Sequence, residues 1–194
     1  MEAFEYVMVL VSIVIGLAIT HVLNALAAAV HRLRGHGAPL RLEPVYLLWI
    51  GFILTWLVSF WWWEFKFQEV AVEWSFGLYL FLITYAVVLF LVAAVLVPHR
   101  MDRVEDSYAY FMDGRKWFFG GVVALVMLDT VDSFLKSTEW GMRPIFLAQS
   151  TIFLAAAVLG MISERRSVQL AGAAIAFTLQ MVYMFEAVGV LGSW

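Results

Sequence analysis

No cysteine occurs among the 194 residues, which excludes disulfides, Cys-ligated zinc and thiolate-held iron–sulfur clusters. Charge is sparse: Asp, Glu, Lys and Arg make up 14% of the chain, the formal net charge is -3, and there is no basic tract, so nucleic acid is not an expected partner. Catalytic signatures are absent too. The sequence holds no Ser-His-Asp spacing, no HExxH and no Gly-rich phosphate loop, so neither an enzyme activity nor a metal or cofactor is assigned. Connections between apolar runs are short and leave no room for a separate soluble domain.

Hydrophobic residues dominate instead, at 64% of the chain with a mean hydropathy of +0.89. Soluble domains are nearer half apolar, so this composition reads as an integral membrane protein. The expected fold is all-α: a compact bundle of six transmembrane helices in one domain, with spans near 6–30, 45–63, 76–97, 117–135, 145–162 and 168–191. All four prolines agree with those limits: Pro39 and Pro44 precede the second span, Pro98 follows the third, and Pro144 opens the fifth. The longest connection repeats Met101, Val104, Tyr108, Phe111 and Met112 on one side and Asp102, Arg103, Glu105 and Asp106 on the other. That pattern predicts a short interfacial helix over about 101–113 on the cytoplasmic surface.

Basic residues set the orientation. Arg32, Arg34, Arg41, Arg100, Arg103, Arg115, Lys116, Arg165 and Arg166, nine of the twelve, fall in one set of connections, which the positive-inside rule places in the cytoplasm, with both termini outside. The opposite side gathers Glu2, Glu5, Glu64, Glu69, Glu73 and Glu139 with Trp61, Trp62, Trp63, Trp74, Trp140 and Trp194, as an interfacial aromatic belt would. The opening residues lack a basic n-region, so the first segment is expected to stay in the mature protein.

Within this apolar background the fourth span carries Asp129, Asp132 and Lys136 at i, i+3 and i+7, on one helical face with Ser133 beside them. A carboxylate at the bilayer centre costs roughly 2.5 to 3.5 kcal/mol, and each neighbouring Leu, Val or Phe returns roughly 0.3 to 0.6. The face therefore turns toward other helices, a water-filled cavity or a partner subunit. Gln149 in the fifth span and Glu186 in the sixth lie at similar depth, with Glu64 and Lys66 expected at the rim. Two readings follow. One is a small transporter or channel moving protons or small cations through an outer-half polar site. The other is a non-catalytic subunit or scaffold that assembles through the polar face of helix four, and a homo-oligomer is expected in either case because the bundle is thin.

The first span carries Ser12, Gly16, Thr20, Asn24 and Ala28 at i, i+4 spacing, a stripe suited to close helix packing. His21 at its flank, with Asn24, is an accessory site candidate, although an imidazole bonded to a neighbouring hydroxyl or carbonyl is the plainer reading. Haem ligation by a pair of the four histidines is a further alternative, but His31, His36 and His99 lie at or beyond the cytoplasmic edge, and no cofactor is assigned. Trp49, Phe52, Trp56, Phe60 and Trp63 form the aromatic face of the second span, read as packing ahead of an apolar ligand cavity. Spans one to three and four to six would form antiparallel halves, the arrangement of inverted-repeat transporters, with slight likeness between them.

The opening Phe4-Glu5-Tyr6, the Gly16-Leu17-Ala18-Ile19-Thr20-His21 segment and Arg115-Lys116-Trp117-Phe118-Phe119 together resemble a loosely defined group of uncharacterised small bacterial integral-membrane proteins. The resemblance implies a bacterial inner membrane and carries over no activity, substrate or site.

Overall fold

Proline and short polar side chains begin the helices where the sequence provides them. Pro44 opens α2 (Pro44–Glu64) and Pro144 opens α7 (Pro144–Ile162), positions where a missing N–H leaves no bond unmade. Ser75 caps α4 (Phe76–Leu96), its hydroxyl accepting from Leu78 N at 3.2 Å, and Asp106 caps α5 (Ser107–Lys136), accepting from Tyr108 N at 2.8 Å and Ala109 N at 3.0 Å. The remaining helices are α1 (Ala3–Leu33), the short α3 (Lys66–Glu69) and α6 (Thr138–Gly141), and α8 (Arg166–Ala187). This computed structural model describes residues 3–69 and 74–187, with all side chains in those ranges except Ala3, Glu69, Glu186 and Ala187.

Among the described residues six helices, α1, α2, α4, α5, α7 and α8, are long and apolar enough to cross a membrane. Neighbours around the bundle run α1, α4, α5, α7, α8, α2 and back to α1, with α2 also touching α4 and α5. Exchanging the first three spans with the last three does not reproduce this order, because α1 packs on α4 whereas α5 packs chiefly on α7. The packing therefore gives the inverted-repeat reading no support.

The stretch expected as a separate interfacial helix is built differently. Met101–Arg103 is one 3₁₀ turn, residues 104–106 are a break, and from Ser107 the chain is already in α5, which continues through Gly114 for 30 residues. At 1.5 Å per residue that is about 45 Å, longer than the ~30 Å hydrocarbon layer, so its first turns project beyond it at the basic end. Met101, Val104 and Phe111 find cover inside the bundle, which is why their apolar stripe does not lie on a membrane surface.

Arg32 fastens that end. Its guanidinium is buried and donates to four backbone carbonyls, Ala38 at 2.8 Å, Pro39 at 2.6 Å, Met101 at 2.5 Å and Val104 at 2.6 Å. Two of the three connections at the basic end, α1–α2 and α4–α5, thus hang on one side chain. Glu43 adds ion pairs with Arg41 at 3.0 Å and with Arg166, and Arg115 pairs with Glu164 at 2.7 Å.

The middle of the bundle is aromatic. Trp49 and Phe52 of α2 pack edge to face, and Trp49 does the same with Phe118 and Phe119 of α5, while Phe52 meets Phe153 of α7 at 5.0 Å. All five aromatics of the α2 face are buried against neighbouring helices, as the packing reading requires. Gly160 on α7 allows the closest approach: a Cβ there would stand 2.2 Å from Phe119 Cζ. The α1 stripe is not used in this way. Its helix packs on α4 and buries Val11, Ala18, Val22, Ala25 and Ala29, which leaves Ser12, Gly16, Thr20 and Asn24 exposed on another side of the same helix.

Candidate functional site

Helical periodicity brings Asp129, Asp132, Ser133 and Lys136 to the inner face of the last two turns of α5. The final turn of α2 runs alongside and delivers Trp63 and Glu64 at the same level. Lys136 lies between two carboxyl groups: its Nζ is 3.1 Å from Glu64 Oε2 and donates to Asp132 Oδ2. Trp63 Nε1 donates to the same Asp132 oxygen at 2.8 Å, and the ammonium sits over the rings of Trp63 and Phe67, 4.9 and 4.7 Å from their centroids. Relative exposures are 0% for Glu64 and Asp132 and 4% for Lys136, so solvent does little to screen this group.

One turn deeper, Asp129 Oδ1 accepts from Tyr85 Oη of α4 at 3.0 Å, and Tyr85 Oη accepts from Trp56 Nε1 of α2 at 3.1 Å. Two hydrogen-bonded groups thus share the face of α5, with three carboxyl groups and one ammonium between them. Asp129, which is half-buried, and Ser133 also border a small, partly open cavity of about 30 Å³, completed in part by Gln149 of α7 and by Gln180 and Tyr183 of α8. Gln149 Nε2 donates to Gln180 Oε1 at 3.0 Å. Ser133 Oγ and Gln149 Oε1 are buried without a hydrogen-bond partner among the described residues. Trp63, Trp140, Phe146 and Tyr183 pack as a second apolar cluster over the site, and Arg143 stacks on Trp140 at 4.0 Å.

The expected residues divide accordingly. Asp129, Asp132, Lys136 and Gln149 come together as their depth and spacing implied. Glu64, expected at the rim, is at the centre, because α2 and α5 end at one level and their last inward positions face each other. Lys66 opens α3 two residues further on and is half-buried. Glu186 lies on α8, but its side chain is outside the described residues. His21 and Asn24 do not join the site. They border an open hollow toward the basic end together with His99, and His21 Nε2 donates to the Val97 carbonyl at 2.9 Å, the plainer outcome for that ring. His21 and His99 stack with ring centroids 6.4 Å apart.

Sequence reasoning missed Tyr85, Trp56, Trp63 as a hydrogen-bond donor, and Gln180. Tyr85 is one of two hydroxyl-bearing residues in the run Phe81-Leu82-Ile83-Thr84-Tyr85-Ala86-Val87, and Gln180 shares a helical face with Tyr183. Both are weak signals that gain meaning only from their neighbours across the bundle. No protein-family model matches this chain, and comparison with characterised proteins and with solved structures finds no significant match.

Proposed function

We propose that this is a small transporter or channel that moves protons or small cations through the polar site formed by α2, α4, α5, α7 and α8. The observation that carries this reading is the imbalance of the enclosed group: Glu64 and Asp132 share Lys136, and Asp129 stands one turn away with only neutral donors around it. A buried ion pair alone needs one carboxylate per ammonium; further carboxyl groups in a membrane interior are costly unless they carry a proton or meet a cation. Glu64 and Asp132 are the groups on which a proton would be exchanged, with Lys136 holding them together. Asp129 receives it next to the cavity.

Between this site and the basic end stand the packed rings of Trp49, Phe52, Phe118, Phe119 and Phe153. Passage through the bundle requires these rings to part, which fits a gated carrier better than an open pore. A scaffold that assembles through the polar face of α5 is disfavoured, because Asp132, Ser133 and Lys136 are already buried within one chain. The positive-inside distribution, with the resemblance to small bacterial membrane proteins, supports a bacterial inner membrane with both termini outside.

The test is flux in proteoliposomes loaded with a pH-sensitive dye, with the membrane potential clamped. The purified protein should acidify the lumen faster than empty vesicles do, and Asp129→Asn should remove that difference while remaining monodisperse in detergent. Identical traces from protein-bearing and empty vesicles, in sodium and in sodium-free buffer, contradict the proposal.

A further inference from the structure

Apart from the Glu64–Lys136–Asp132 group, the cavity beside Asp129 has the composition of a ligand site. At about 30 Å³ it has room for a water or two, or for one ion of similar size. Asp129 supplies a carboxylate. Ser133 Oγ, at 0% exposure, and Gln149 Oε1, on a side chain 9% exposed, are oxygens that border the same space without a hydrogen-bond partner among the described residues. The Gln149–Gln180 pair leaves one carbonyl oxygen over whichever way its amides are assigned, since a single N–H···O bond joins them. An unpartnered buried polar oxygen costs about 1–3 kcal/mol, and with the Tyr183 hydroxyl three of them border this void, so an occupant that binds oxygen, a water or a cation, is indicated.

From this we infer that the cavity is a binding site for a monovalent hard cation of about the size of Na⁺, held by Asp129, Ser133 Oγ and the spare amide oxygen of the Gln149–Gln180 pair. One carboxylate with neutral oxygens balances a single positive charge, whereas Ca²⁺ sites usually gather several carboxylates and Mg²⁺ keeps several of its waters. Tyr85 is not a ligand. Its hydroxyl donates to Asp129 Oδ1 and accepts from Trp56, so it holds the carboxylate in position. The surplus of carboxyl groups over Lys136 makes the surroundings favourable to a cation. This inference deepens the transport reading by adding a Na⁺ site beside the proposed proton path, and it rests on that reading only for the claim that the ion moves.

Binding is measured on the full-length protein in detergent, with NaCl, KCl or choline chloride exchanged at constant ionic strength, by melting temperature from tryptophan fluorescence and by retention of radioactive Na⁺. NaCl should raise the melting temperature saturably, by roughly 5 °C at a hundredfold excess over Kd, and KCl should do so less. Asp129→Asn should abolish the shift and the retained Na⁺, and Ser133→Ala, a smaller change, should weaken Na⁺ about tenfold. Equal melting curves in NaCl and choline, with no Na⁺ retained, overturn the site and leave a cavity filled by water only. Proton flux in sodium-free buffer and uptake of radioactive Na⁺ into proteoliposomes separate the two ideas: proton flux without Na⁺ binding sinks the site alone, and Na⁺ binding with neither flux sinks transport alone.

Discussion

Lys136 is the residue on which the buried group depends, because among the described residues it is the single cation between Glu64 and Asp132. Removing a carboxyl group and removing the ammonium therefore have opposite weights. Lys136→Met leaves two carboxyl groups facing each other at 0% exposure, and a buried charge stripped of its partner costs about 3–5 kcal/mol, so the detergent melting temperature should fall on the order of 10 °C. Glu64→Gln keeps the Asp132–Lys136 pair and the side-chain volume, and its melting temperature should stay within about 3 °C of the parent. A larger fall for Glu64→Gln than for Lys136→Met would mean that the two carboxyl groups are not held by the one ammonium. The i, i+3, i+7 spacing of Asp129, Asp132 and Lys136 made the α5 half of this group readable from sequence. The α2 half was not, since Glu64 at the end of an aromatic span looks like an interfacial anchor until α5 is placed beside it.

Individual helices behave according to how their ends are held. The amphipathic pattern over 101–113 was a correct reading of periodicity and an incomplete reading of cover: Met101, Val104 and Phe111 have an apolar face, but the bundle rather than the membrane surface receives it. Arg32 was countable only as one positive charge for topology. Its contacts with carbonyls 6 and 7 residues away and others 69 and 72 residues away belong to tertiary structure and leave no local trace. Lysine has the same charge, but its compact ammonium lacks the planar fork that reaches four acceptors. Arg32→Lys should thus preserve orientation and lower stability by about 2–3 kcal/mol, seen as a lower melting temperature and faster proteolysis of the connections around residues 36 and 102. Unchanged stability would show that these carbonyls are satisfied without the guanidinium.

Across the whole molecule, charge is divided between two ends, and the buried Glu64–Lys136–Asp132 group lies toward one of them. The absence of native cysteine makes the orientation directly testable, since single cysteines can be introduced without a background. In intact bacterial cells, Glu139→Cys should react with a membrane-impermeant maleimide and Arg34→Cys should be protected until the cells are opened; the reverse pattern would invert the proposed topology. Six spans were legible because hydropathy and proline placement are properties of each segment alone, whereas the start of the fourth, at Ser107 rather than near 117, was not. The order α1, α4, α5, α7, α8, α2 was not, because it depends on side-chain fit such as Phe119 against Gly160, which a single sequence does not display.

The measurement that bears most directly on ion movement through this site is the initial rate of lumen acidification by Glu64→Gln in proteoliposomes at clamped potential. Because this variant keeps the Asp132–Lys136 pair, its rate should fall at least about tenfold below that of the parent protein while its melting temperature stays within about 3 °C. A rate equal to the parent's, in a variant equally stable, would contradict the assignment of Glu64 to the path.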